Sequence, residues 1–125
     1  MNLKTPFAKN HEDLNPLSSR YVEINKLPWK STLYQGIEIK VLMEDQKSGL
    51  LTALFKWQPG ASLPLHKHQE IEQTFVLEGS LKDDEGEVSA GNYVWRPPNS
   101  RHIATSPNGA LILSFFLKPN IFLEN

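Results

Sequence analysis

Three of this chain's four histidines, His66, His68 and His102, fall together with Glu72 in the stretch from Gly60 to Ser106. Three imidazoles and a carboxylate form a ligand set for a divalent transition metal. His66 and His68 are two residues apart, and on a strand that separation puts both rings on one face. Glu72 supplies an anionic oxygen after a short bend at Gln69, Glu70 and Ile71, and His102 has to arrive from a different strand. Four protein ligands around a six-coordinate ion leave two positions for water, substrate or dioxygen. His11 lies far upstream and is assigned no role.

Holding such a site requires short strands joined by tight turns, and the rest of the chain reads that way. A length of 125 residues suits one domain. Residues 1–20 carry Pro6 and Pro16 without periodicity and read as an N-terminal arm, leaving 21–125 as a single barrel domain. Strands are predicted at Arg20–Ile24, at Ile37–Met43 from its apolar–polar alternation, and at the apolar run Leu50–Trp57. Further strands are predicted at Thr74–Glu78 ending at Gly79, Asn92–Arg96 ending at Pro97, His102–Thr105, and Ala110–Leu117. Many short strands with Gly and Pro turns, and no helix beyond a turn or two, predict an all-β sandwich or barrel. Gly60, Gly79 and Gly91 sit where positive φ or close backbone approach is expected, and Asn99 suits a left-handed turn just before His102.

The remaining composition narrows the function classes. A net charge of −1 without a basic block gives no footprint for nucleic acid or an anionic membrane. No apolar run approaches the roughly 18 residues of a membrane span, and the N-terminus lacks a signal-peptide core, so a cytoplasmic protein is expected. Without cysteine there is no disulfide framework, zinc ribbon or thiol nucleophile. The acidic run from Asp83 to Glu87 lacks the spacing of a calcium loop and reads as a solvated hairpin tip. Arg96 is the candidate for holding a substrate carboxylate, since Arg101 adjoins His102 and points away on a regular strand. Trp57 and Tyr93 are the other substrate-binding candidates. Phe75, Trp95, Phe115 and Phe116 read mostly as core, with pocket lining as the alternative.

The residues from Gly60 to Gly79, with His66, His68 and Glu72 at their spacing, resemble the first motif of the cupin superfamily at every fixed position. Gly91, Pro97 and His102 resemble the second, with Asn99 in place of a glycine and Ser106 in place of an asparagine. The stretch Leu27-Pro28-Trp29, with Gly36 to Leu42, is similar to one small-cupin branch. That branch includes acetylacetone-dioxygenase-like proteins and the metal-binding C-terminal domain of a bacterial zinc anti-sigma factor. The resemblance implies a double-stranded β-helix, a homodimer, and one metal held by His66, His68, Glu72 and His102. Iron(II) is the first expectation, with zinc, manganese or nickel as alternatives. It implies an iron(II) dioxygenase-type enzyme acting on a small enolisable or diketone-like substrate. The alternative is a non-catalytic zinc- or metal-binding sensor or ligand-binding module. A direct anti-sigma role is not expected, because such a regulator needs an extra N-terminal region with its own Cys and His zinc ligands, whereas this chain has no cysteine and only a short arm before the barrel. Epimerase-like cupins need a His–Asp pair, but every histidine within this barrel is already assigned to the metal. Lyase-type cupins need a tyrosine where this chain has Thr74, and Tyr93 would have to replace it.

Overall fold

A computed structural model describes residues 2–123. Met1 and the last two residues of the domain expected over 21–125 lie outside that range. The elements in chain order are a 3-10 turn at Ile24–Lys26, then β1 (Lys30–Ser31), β2 (Ile37–Asp45), β3 (Leu50–Trp57), β4 (Ala61–Lys67) and β5 (Glu72–Lys82). They continue with β6 (Glu87–Ser89), β7 (Tyr93–Arg96), β8 (Arg101–Ser106), β9 (Ala110–Phe116) and β10 (Ile121–Phe122). All pairings are antiparallel, and the sheet runs β1-β2-β3-β9-β5-β8-β4-β10, with β6 and β7 also paired to β5. This curled sheet is the all-β double-stranded β-helix expected from the sequence. Among the described residues, no helix is long and apolar enough to cross a membrane.

β5 joins the two halves of the curl. Residues Glu72 to Gly79 pair with β9 in one half, and Ser80 to Lys82 pair with β6 in the other. The strand therefore does not end at Gly79, as the sequence suggests, but turns through it. Gly79 has φ +74°, and a Cβ there would sit 1.9 Å from the carbonyl oxygen of Gly109. Only glycine allows a neighbouring backbone so close.

Alternation along the strands sorts side chains to the two faces. Val76, Ile112, Trp57, Leu81 and Ala104 face inward and form the core. Phe75, Tyr93, Trp95 and Phe115 face outward instead of joining it, each at least 38% exposed. The register places them side by side, with Tyr93 and Leu113 opposite Phe75, and Trp95 and Phe115 opposite Gln73. Phe75, Trp95 and Phe115 are therefore neither core nor pocket lining.

The strand expected at Arg20–Ile24 is irregular chain ending in the 3-10 turn. This stretch has no ladder partner, and a strand needs one to satisfy its backbone. Upstream, Lys4 forms a two-bond bridge with Glu44, and the Thr5 hydroxyl donates to the Leu42 carbonyl at 2.6 Å. These contacts tie the arm to β2.

Candidate metal centre

The bulge in β4 between Leu63 and His66 contains Pro64, which cannot donate to a ladder and is tolerated where pairing is interrupted. Beyond it, His66 lies directly opposite His102 on β8. His68 follows one residue after the end of β4. The turn from Pro97 to Ser100 brings Ser100 beside it, with Asn99 at φ +72°. The Asn99 N–H donates to the His68 carbonyl at 2.7 Å, and the His68 N–H donates to the Ser100 carbonyl at 3.0 Å. The left-handed conformation expected at Asn99 thus fixes the backbone on both sides of the second histidine.

All three histidines are buried, with ring centroids 4.5 to 5.0 Å apart. Each ring uses Nδ1 on the protein. His66 Nδ1 lies 2.7 Å from the Pro64 carbonyl oxygen, His68 Nδ1 3.1 Å from the Ser100 carbonyl and 2.9 Å from its hydroxyl, and His102 Nδ1 2.9 Å from Asp83 Oδ2. Carbonyl and carboxylate oxygens only accept, so the proton sits on Nδ1 and each Nε2 carries a lone pair. One ring nitrogen from each histidine falls within 4.8 Å of the others, a group able to hold a metal ion.

Electrostatics agree with that assignment. Burial pushes His66 down to about 4, against the opposing pull of its bond to Pro64. Burial also lowers His102, partly offset by the Asp83 carboxylate. Both rings are therefore neutral at neutral pH, the state a metal ligand needs.

Glu72 approaches the cluster from the start of β5. Its Oε1 lies 3.1 Å from His68 Nε2, and its Oε2 accepts from the Thr74 hydroxyl at 3.0 Å. Thr74 in turn shares a 2.8 Å bond with Ser114, its cross-strand partner, in the buried interior. Burial disfavours the Glu72 carboxylate, and the bond from the Thr74 hydroxyl stabilises it. The direction from His68 Nε2 to Oε1 does not meet hydrogen-bond geometry, which leaves Nε2 fully buried without a partner. Such an atom is costly unless something not made of protein completes it. A metal ion meets that need, so the residues fit one.

A largely apolar cavity of about 390 Å³ opens beside the histidines. Its wall includes His66, His102, Glu72, Arg96 and Trp57. Trp57 is 5% exposed, and its indole N–H is buried without a partner. Arg96 lies opposite Glu72 on β7, and one end of its guanidinium donates to Asp83 Oδ2. Tyr93 does not belong to this wall: its hydroxyl donates to Gln73 on the outer face at 2.6 Å. Its alternation with Arg96, three residues later on β7, already places the two on opposite faces. Arg101 is exposed, as expected for a neighbour of His102.

Asp83 is the site residue that sequence reasoning missed. The run from Asp84 to Glu87 is exposed as expected, but the Asp83 side chain is 2% exposed. Its Oδ1 accepts from the N–H groups of Glu85 and Gly86, at 2.8 and 3.0 Å. An aspartate opening a turn before glycine is a readable capping signal, but only the three-dimensional turn shows its other oxygen meeting His102.

Comparison with known proteins agrees with this architecture. The profile of the ChrR cupin-like domain family matches residues 17–119. No curated relative matches the sequence. Among solved structures, a putative acetylacetone dioxygenase from Methylibium petroleiphilum PM1 superimposes with a TM-score of 0.79 at 24% identity, covering 89% of this chain and 85% of that one. An acetylacetone dioxygenase from Acinetobacter johnsonii gives 0.76 at 20% identity, covering 90% and 83%. A chain of the Rhodobacter sphaeroides complex of SigE with the anti-sigma ChrR gives 0.63 at 21% identity, covering 74% of this chain but only 50% of that one.

Proposed function

We propose, from the premise that this chain belongs to the ChrR cupin-like domain family, that it is a metal-dependent cupin of the iron(II) dioxygenase type. Its substrate in this reading is a small enolisable or diketone-like molecule. The observation that carries the proposal is the cavity lined by His66 and His102 of the three-histidine cluster. A structural metal site is closed by its ligands, whereas a catalytic one keeps open positions facing a space for substrate.

His66, His68 and His102 would hold the ion through Nε2, with Glu72 as the fourth ligand. A bound divalent metal supplies Lewis-acid and redox chemistry at that point. The chain's own part is to orient and to exclude water. Neutral imidazoles keep their lone pairs inward, and Thr74 fixes one Glu72 oxygen so that the other faces His68. The apolar wall, including Trp57, sheds solvent from the substrate body. Arg96, with one end held by Asp83, is the group placed to meet a substrate oxygen.

The test is oxygen uptake by anaerobically iron-loaded protein given a series of β-diketones. Consumption that requires both iron and diketone is expected. Zinc bound one per chain, with no uptake on any diketone, would instead favour the non-catalytic sensor reading.

The outward apolar cluster of Phe75, Tyr93, Trp95 and Phe115 supports a second copy of the chain as partner, since monomers rarely leave such a contiguous patch in water. Sedimentation should give the mass of two chains, and Trp95→Glu the mass of one. A monomeric wild-type protein would contradict the homodimer.

A further inference from the structure

We propose that Asp83 is the positioning residue of the site, fixing the tautomer and direction of His102 so that its Nε2 lone pair faces His66 and His68. The consequence for metal binding rests on the metal reading above; the geometry does not.

The four contacts of this carboxylate divide its work. Oδ1 is bound by the N–H groups of Glu85 and Gly86, and the Asp83 N–H closes the same turn on the Gly86 carbonyl at 2.9 Å. The side chain is thus anchored to the hairpin backbone, on the turn directly after β5. Oδ2 points the other way and meets both His102 Nδ1 and the Arg96 guanidinium. A carboxylate with 2% side-chain exposure is costly to bury unless its lone pairs are engaged, and here both oxygens are.

His102 also differs from its two companions. His66 and His68 are oriented by backbone carbonyls and a hydroxyl, whereas His102 alone is oriented by a charged acceptor. A carboxylate partner holds the proton on Nδ1 more firmly and makes the opposite nitrogen the better donor. Arg96 is on the cavity wall and Asp83 is not, so the pair links the substrate space to one metal-facing imidazole through a single oxygen.

The test uses 15N-detected histidine ring signals of the metal-free protein at neutral pH, together with cobalt(II) titration. In the wild-type protein His102 is expected to carry its proton on Nδ1 only. In Asp83→Ala, and in Asp83→Asn should the first fail to fold, His102 should shift toward the Nε2-protonated form while His66 and His68 keep their signals. Cobalt affinity should fall about 10- to 100-fold, the range typical for loss of an outer partner of a metal ligand. An Nε2-protonated His102 in the wild-type protein would overturn the proposal, and so would a folded variant that keeps both the Nδ1 tautomer and near-wild-type cobalt affinity. A wild-type protein that binds no cobalt would defeat the metal reading, and the tautomers would still decide the role of Asp83.

Discussion

Replacing His68 with alanine is expected to abolish stoichiometric binding of a divalent transition metal. The affinity loss should exceed the roughly 100-fold that marks removal of a mere outer partner. His68 is the sharpest probe of the three because its Nε2 is fully buried without a hydrogen-bond partner among the described residues, with the Glu72 carboxylate 3.1 Å away. The metal-free variant should unfold within about 2 kcal/mol of wild type, since the lost packing is offset by removal of a buried unsatisfied nitrogen. Ser100 also keeps a role of its own, with its hydroxyl donating to the Pro97 carbonyl at 2.7 Å. Metal titration followed by calorimetry checks both statements. Undiminished binding in a folded variant would remove His68 from the site.

Gly79→Ala should have the largest effect on folding, on the order of 4 kcal/mol or more. The added Cβ would meet the Gly109 carbonyl oxygen at 1.9 Å and the Ala110 Cα at 2.9 Å, and both are backbone atoms of the partner segment. Relief would require pulling β9 from β5 at the point where β5 turns between the two halves of the curl, and the Thr74–Ser114 pair that supports Glu72 lies on those same two strands. Gly91→Ala is the control. Its φ of +86° is equally left-handed, but the added Cβ meets nothing within 4 Å. That variant should lose only about 1–2 kcal/mol from the backbone conformation. Chemical denaturation of the two variants separates clash from strain, and equal losses would show that the Gly109 contact does not matter.

The histidine cluster was legible because strand alternation is local: two residues of separation carry His66 and His68 to one side whatever the rest of the fold does. Asn99 was legible for the same reason, since a left-handed turn selects its own residue types. The outward aromatics were not. An apolar strand residue reads alike whether it faces a core or an exposed surface, so hydrophobicity alone points Phe75, Trp95 and Phe115 inward. Gly79 reads as a strand end because a glycine in a strand signals both a stop and a close crossing, and only the approach of Gly109 distinguishes them. Asp83 was hidden by its company. Its neighbours Asp84 to Glu87 are exposed, and the fold buries this one carboxylate by bringing Arg96 and His102 to it from two other strands. Thr74 and Ser114 became a polar support for Glu72 through a register that no local pattern encodes.

His66, His68 and His102 are proposed to converge on one metal ion. The most direct test is an anomalous difference map, recorded at the metal's absorption edge, from crystals of the wild-type protein loaded with iron or cobalt. One strong peak per chain is expected, within coordination distance of the Nε2 atoms of all three histidines and beside the Glu72 carboxylate. No peak there, or a peak at surface residues with the three Nε2 atoms bare, would contradict it.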